Sequence, residues 1–298
     1  MMNKRFAIEF SREFKKTTSG LSSHEIPLFR ALQKTLQSLS SRFHIEEYHG
    51  AKHQVKFSGT GSMSRARSRC ELADLFIVIF SNNPISVRIT FFQAKSERGY
   101  LKGFCPIGQS LNANLEQWDL LANRPTIEGC GKFNPPNNLL SKAILPSVGT
   151  FGFFNKKSPS DDYRIIYSTG DNLSLTTSGK IRYGKLAVQK CHIRSINGFY
   201  ESTASCSIRQ FGYNLVSNLI GTPIHHSADS AVPHSENPHT RSWLANVLKE
   251  SMINARQIDL PTQLAEQLIG TLETDPDEYQ NEGFGAKSMF LINSGNIG

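Results

Sequence analysis

Two apolar runs of six residues each, at positions 75–80 and 87–92, are the strongest hydrophobic pattern in the chain. Both runs are rich in β-branched and aromatic residues, and the segment between them contains serine, asparagine and proline. Short apolar runs bounded by turn-forming residues are typical of β-strands. The pattern therefore predicts a β-hairpin whose loop spans residues 81–86.

The alternation of side chains along the second run predicts where the polar groups of this hairpin lie. If Phe80 faces Val87, the antiparallel register places Asp74 directly opposite Gln93. A slip of one residue would separate the two. One face of the strand then carries Val87, Ile89, Phe91, Gln93 and Lys95, and the other carries Arg88, Thr90, Phe92 and Ala94.

Weaker patterns predict elements along the rest of the chain. Apolar residues at three- and four-residue spacing indicate amphipathic helices, the first of them capped by Ser22 or Ser23 and the second ended by Arg124-Pro125. Helices are predicted at residues 25–39, 109–121 and 243–253 and from Pro261, and short strands at 6–10, 143–145, 164–167 and 186–193.

The stretch Asn134-Pro135-Pro136-Asn137-Asn138 is the best candidate for a domain boundary. It divides the chain into a region 1–133, which contains the hairpin, and an α+β region 139–298 to which we assign no role. The second region could instead complete a single large domain. In either case the mixture of predicted elements indicates an α/β protein.

Composition narrows the class of protein. The 298 residues carry a formal net charge of +8, and this excess lies in residues 1–100, where 16 Lys and Arg stand against 8 Asp and Glu. Such a charge distribution suits binding to a polyanion, although an ordinary solvated surface would look the same. The five cysteines show no metal-binding spacing, so free thiols are expected. No apolar run is long enough for a membrane span or a signal peptide, which favours a cytoplasmic location.

The polar end of the hairpin offers ligands for a hard cation. Asp74 would supply an anionic oxygen to Mg²⁺ or Mn²⁺, and the side-chain oxygen of Gln93 and the backbone carbonyl of Ala94 would add neutral ones. Lys95 would orient a metal-bound water or stabilise negative charge on a phosphate. The alternative is a buried hairpin whose polar ends are merely solvated.

Asp74 before an apolar strand, followed after a hairpin by Gln93-Ala94-Lys95, resembles the core of the PD-(D/E)XK nuclease superfamily in its glutamine-containing variant. The resemblance covers roughly residues 25–125, and it extends to uncharacterised bacterial proteins associated with restriction and phage defence. It implies a restriction-endonuclease-like central mixed sheet flanked by helices, with Asp74 and Gln93 as metal ligands and Lys95 as the catalytic lysine.

Further residues are candidates for the same site. The resemblance suggests Glu25, on the helix before the hairpin, as an additional metal ligand, and Glu71 lies three residues before Asp74. Each could equally be a solvated or ion-paired surface acid. The basic residues Arg65, Arg67 and Arg69 would share one face of an extended segment and could contact nucleic-acid phosphates on the way to Asp74.

The sequence thus predicts a magnesium-dependent endodeoxyribonuclease that cleaves DNA in bacterial restriction or phage defence, with partner subunits of such a system possible. The main alternative is a catalytically inactive subunit that binds nucleic acid on a nuclease scaffold. A third possibility is an unrelated enzyme whose site lies in the second half of the chain.

Overall fold

The structure of the protein is a computed structural model. It describes residues 2–39, 45–47, 53–58, 68–82, 85–101, 107–176, 182–226, 238–254 and 288–293. These residues form a mixed α/β fold with five α-helices and several mixed and antiparallel sheets. The helices are α1 (Met2–Thr18), α2 (Glu25–Ser38), α3 (Leu115–Asn123), α4 (Ile208–Val216) and α5 (Pro238–Asn254).

Sixteen strands belong to the described part of the chain. In the first half they are β1 (Ile45–Glu47), β2 (Gln54–Phe57), β3 (Ser68–Glu71), β4 (Leu75–Asn82), β5 (Ile85–Tyr100), β6 (Ser110–Asn114) and β7 (Glu128–Gly129). In the second half they are β8 (Gly149–Lys156), β9 (Arg164–Thr169), β10 (Leu173–Leu175), β11 (Tyr183–Val188), β12 (Ile193–Ile196), β13 (Phe199–Ser202), β14 (Ala204–Ser205), β15 (Thr222–His226) and β16 (Ser288–Asn293).

The largest sheet has eight strands in the order β1-β16-β4-β5-β8-β9-β14, with β15 also paired to β5. Its pairings are mixed, because β4 runs parallel to β16 and β5 runs parallel to β8 while the other neighbours are antiparallel. Two three-stranded sheets, β10-β11-β6 and β3-β2-β7, and the hairpin β12-β13 accompany it. The large sheet therefore contains strands from both sides of the position proposed as a domain boundary.

The predicted hairpin is confirmed, including its register. Phe80 pairs with Val87 and Leu75 pairs with Phe92 along strands β4 and β5. The strands pair further than expected, as far as Asn82 and Ile85, so the connection is shorter than the predicted loop at 81–86.

Both faces of this hairpin are buried, which explains why its two runs are continuously apolar. On one face Phe76 and Phe91 stack 5.0 Å apart between ring centres, and Trp243 of α5 packs on Phe76 at 5.5 Å. On the other face Phe92 contacts Phe211 of α4 at 5.7 Å. Helices α1, α2 and α4 share this second cluster of buried side chains, so the sheet lies between two hydrophobic cores.

Helix α1 corrects the strand predicted at residues 6–10. Phe6, Phe10 and Phe14 follow one another at intervals of four residues, and all three are buried on the same side of the helix. The short alternation at 6–10 is a fragment of this helical pattern. The phenyl ring of Phe10 packs 6.2 Å from that of Phe211, which explains why the helical arrangement is the stable one.

The helix predicted at 109–121 is only half correct. Residues 110–114 form β6, whose polar and apolar side chains alternate, and α3 begins at Leu115 with Asn114 as its N-cap. The Asn114 side chain accepts a hydrogen bond from the backbone N–H of Glu116 at 3.0 Å. As predicted, the helix ends at Arg124, which adopts a left-handed conformation with φ of 51°.

The remaining predictions have mixed outcomes. Helices at 25–39 and 243–253 are confirmed, but α2 is preceded by His24 as N-cap rather than by Ser22 or Ser23, and no side chain caps it. The strand at 164–167 is confirmed, the one at 186–193 is divided between β11 and β12, and the one at 143–145 is wrong, because a loop leads there into a 3-10 turn. The helix predicted from Pro261 lies outside the described residues.

The described cysteines Cys70, Cys130 and Cys206 have free thiols, as expected. Among the helices that the structure describes, none combines the length and the apolar character needed to span a bilayer.

Candidate active site

Asp74 directly precedes β4, at the end of the pairing between β4 and β5. Its backbone N–H continues the ladder by donating to the carbonyl of Phe92 at 3.1 Å. The next amide along β5 on this side, that of Ala94, donates to Asp74 Oδ2 at 2.9 Å. The carboxylate therefore takes the place of the carbonyl that a longer strand would have offered. This hydrogen bond and the almost complete burial of Asp74, which is 3% exposed, fix the orientation of the acid.

The register brings the three predicted catalytic side chains together. Lys95 Nζ lies 3.8 Å from Asp74 Oδ2, and the Lys95 side chain is only 15% exposed. Gln93, with no exposed surface, lies beneath both. Because the N–H and C=O of one strand residue point to the same neighbouring strand, the Ala94 carbonyl also faces the side of Asp74.

The side-chain amide of Gln93 lies between the Asp74 carboxylate and the Lys95 ammonium group. The side-chain atom nearest the acid lies 2.9 Å from Asp74 Oδ2 and 3.4 Å from Lys95 Nζ. If that atom is the oxygen, it accepts from Lys95 but faces a second acceptor. If it is the nitrogen, it donates to Asp74, and the amide oxygen accepts from the Asp74 N–H at 3.3 Å. Hydrogen bonding favours the second orientation. In that orientation Gln93 holds the Asp74 carboxylate in place.

A bound cation would favour the first orientation instead. Mg²⁺ holds oxygens at 2.0–2.1 Å with near-octahedral geometry, which puts adjacent ligand oxygens about 2.9 Å apart. The observed spacing of the Gln93 and Asp74 atoms matches that edge. Within the described parts of the chain, no group of three or more His, Cys, Asp and Glu side chains could hold a metal. At the hairpin itself, the residues therefore offer Mg²⁺ one carboxylate and neutral oxygens, and retained waters would complete the coordination.

Of the two additional acids, Glu25 makes a direct contact with the predicted catalytic lysine. It is in the first turn of α2, and its Oε1 lies 3.6 Å from Lys95 Nζ. A hydrogen bond of 2.6 Å from the Ser96 hydroxyl to the Ser23 carbonyl ties the start of α2 to β5. Glu71, at the end of β3, lines the same cleft as Glu25 and Asp74. Both acids are therefore near the site, and a ligand role for either stays a prediction.

Asp74 and Lys95 open into a cleft of about 750 Å³. Another wall of this cleft is formed by β6 and β11, two strands of the three-stranded sheet β10-β11-β6, and these two strands are called the ribbon here. In the ribbon, Asn112 pairs with Lys185 and Asn114 pairs with Tyr183. These four side chains share the outward face of the ribbon, whereas Leu111 and Leu186 face the core. Sequence reasoning missed this wall, because β6 was predicted as helix and β11 was given no role.

The three arginines proposed to contact phosphate have different outcomes. Arg69 is exposed on β3, where it pairs with the exposed Lys56 of β2. A nearby pair in the same ladder, Gln54 with Glu71, lines the cleft, and alternation puts both pairs on one face. Two cationic side chains thus lie about 7 Å along the strands from the cleft wall. Arg65 and Arg67 lie outside the described residues.

Two titratable groups near the cleft have altered acidities. Burial, followed by the nearby carboxylates of Glu116 and Glu71, raises the pKa of the Cys70 thiol far above its usual range. Cys70 is therefore protonated at neutral pH and is unsuited to nucleophilic chemistry. Burial also raises the pKa of Glu97, although two hydrogen bonds from Asn112 oppose the shift.

A comparison of the chain with protein-family models, with curated proteins and with solved structures finds no match. The functional interpretation of the cleft therefore depends on its own geometry and on the motif.

Proposed function

We propose that the protein is a metal-dependent nuclease that hydrolyses phosphodiester bonds of DNA in the cleft at Asp74. One observation carries this proposal: the hairpin register brings Asp74, the buried Gln93 amide and Lys95 within hydrogen-bonding or ion-pair distance of one another, and Asp74 and Lys95 line an open cleft. The restriction-endonuclease-like arrangement of the central sheet is part of the same proposal.

The residues have separate tasks. Asp74 and, with its oxygen turned towards the acid, Gln93 would hold Mg²⁺ together with the Ala94 carbonyl, and the metal would supply Lewis acidity and an activated water. Lys95 would stabilise the charge that develops on the phosphate. Glu25 contacts Lys95 as Asp74 does, so the ammonium group is held by two acids.

The proposal is tested by cleavage of plasmid and single-stranded DNA with Mg²⁺ or Mn²⁺. Lys95→Met keeps the aliphatic length of the side chain and removes its charge, so we expect the cleavage rate to fall by roughly 100- to 1,000-fold. Asp74→Asn should abolish metal-dependent cleavage. Lys132→Met is the matched control, because Lys132 is exposed and does not line the cleft. Retained activity in both cleft variants would contradict the proposal.

A second candidate function is nucleic-acid binding without cleavage. The observation that favours it is the amide orientation in which Gln93 and Lys95 both satisfy Asp74, because the acid is then compensated without any metal. DNA binding by the wild-type protein in EDTA, with no cleavage in either metal, would support this function. The proposed place in bacterial restriction or phage defence, with its partner subunits, rests on the motif resemblance alone.

A further inference from the structure

The ribbon that forms a wall of the cleft carries an aromatic side chain in an unusual position. Tyr183 is 65% exposed, although it lies on a strand whose other face is packed into the core. It is also the first residue of β11, paired with the helix cap Asn114. The backbone of Tyr183 is thus fixed by strand pairing while its side chain lines the cleft.

Polar and cationic groups surround this ring. The guanidinium carbon of Arg182 lies 5.8 Å from the ring centre, and Arg182 is itself held by Glu116 at 3.1 Å. Lys185 lies two residues along on the same face of β11, and Asn112 and Asn114 complete that face from β6. An aromatic ring on a fixed strand, with cations and amides beside it, offers a base a stacking surface, hydrogen bonds to its edge and charge for its phosphate.

We propose that Tyr183 and Arg182 bind an unpaired nucleotide, so that the cleft takes a single-stranded segment of nucleic acid. This inference rests on the proposed function only in placing a polynucleotide in the cleft. A base inside a duplex cannot present its face to a side chain, whereas an unpaired or extruded base can. Because the ribbon and Asp74 line the same cleft, a nucleotide stacked on Tyr183 places its neighbouring phosphates towards the catalytic residues.

The test is fluorescence anisotropy with labelled dT12, U12 and a 12-base-pair duplex, all in EDTA. Removal of one stacking surface in Tyr183→Ala should weaken binding of the single strands roughly 5- to 150-fold, while Tyr183→Phe should bind nearly as well as wild type. Tyr200→Ala is the matched control, since Tyr200 is 58% exposed on β13 and does not line the cleft. The DNA and RNA probes, which differ in the 2′-hydroxyl and in the thymine methyl group, show which polynucleotide the cleft prefers.

A second measurement reports on stacking directly. In Tyr183→Trp, binding of dT12 should quench the fluorescence of the new indole, and the duplex should not. For Lys185→Met, the plot of log affinity against log salt should become shallower by roughly 0.7 for each phosphate that Lys185 neutralises in the wild type.

Each outcome separates this inference from the nuclease proposal. Tyr183-dependent binding without any cleavage would uphold the inference and overturn the nuclease activity. Cleavage by the wild type, with unchanged single-strand affinity in Tyr183→Ala, would uphold the nuclease activity and overturn the inference. An equal reduction of duplex and single-strand binding, or no binding of either single strand by the wild type, would overturn the inference.

Discussion

Replacement of Gln93 by glutamate gives the sharpest test of whether the hairpin binds a cation. The substitution conserves the size of the side chain and puts a second carboxylate beside that of Asp74. One oxygen of the introduced carboxylate would lie about 2.9 Å from Asp74 Oδ2 and about 3.4 Å from Lys95 Nζ, since these are the distances of the amide atom that it replaces. The variant should therefore depend on a cation far more than the wild type does.

The expected size of the effect follows from these distances. At an effective dielectric constant of about 20, the repulsion between the two carboxylates is roughly 6 kcal/mol and the added attraction to Lys95 is roughly 5 kcal/mol. These two pairs alone would destabilise the metal-free variant by about 1 kcal/mol, and burial of the added charge at a position with no exposed surface should cost several kcal/mol more. The melting temperature in EDTA should therefore fall by more than about 2 °C for a chain of this size. At a Mg²⁺ concentration of about 100 times Kd, binding should restore about 2.7 kcal/mol.

The assay is thermal unfolding at pH 8, in EDTA and over a series of Mg²⁺ concentrations. Gln93→Glu should melt below the wild type in EDTA and gain about 5 °C or more with saturating Mg²⁺, and Asp74→Asn in the same chain should remove most of that gain. Gln189→Glu, at an exposed position outside the cleft, is the control for added surface charge. A Mg²⁺-induced shift no larger in Gln93→Glu than in the control would refute the reasoning.

Three further predictions concern the framework of the fold. Glu201→Ala should lower the free energy of unfolding by roughly 1–3 kcal/mol in urea titrations, because the buried Ser147 N–H loses its acceptor at 2.8 Å, whereas Arg194 keeps its ion pair with Asp171. Gly152→Ala should cost roughly 1–3 kcal/mol by the same measurement, because the added Cβ would lie 2.1 Å from the ring of Phe92. Burial raises the pKa of Glu97, so its ionised form opposes folding, and Glu97→Gln should stabilise the protein more at pH 8 than at pH 4.5; equal effects at both would contradict this.

Local patterns were enough to predict the hairpin and the register that brings Asp74 opposite Gln93. Two continuous apolar runs determine which backbone segments pair, and alternation then determines which side chains meet at their end. Asp74 and Gln93 could be placed opposite one another because each directly adjoins its apolar run. The same reasoning failed at residues 6–10, where five residues of alternation were read without the longer helical period that contains them.

The walls of the cleft could not be predicted, because they depend on contacts between distant parts of the chain. The same holds for the central sheet, where β8 pairs with β5 across more than fifty residues and its glycine-containing sequence carries no strong strand signal. Tyr183 of β11 meets Asn114 of β6 across almost seventy residues. One signal was available: Ser110–Asn114 alternates polar with apolar residues, which indicates a strand rather than the start of a helix.

The position of Asp74 in the ladder explains why a carboxylate can be placed at this point of a buried sheet. Both faces of β5 are covered by the hydrophobic cores. Backbone groups and polar side chains of β5 can therefore reach the cleft only beyond the end of its pairing with β4. There the Ala94 N–H needs an acceptor, and Asp74 supplies one with a carboxylate oxygen instead of a carbonyl. The bond that completes the sheet therefore also orients the acid towards the cleft that it lines. Removal of the Asp74 carboxylate should for this reason affect folding as well as chemistry, which makes Asp74→Asn, with its retained oxygen, a better test of the site than Asp74→Ala.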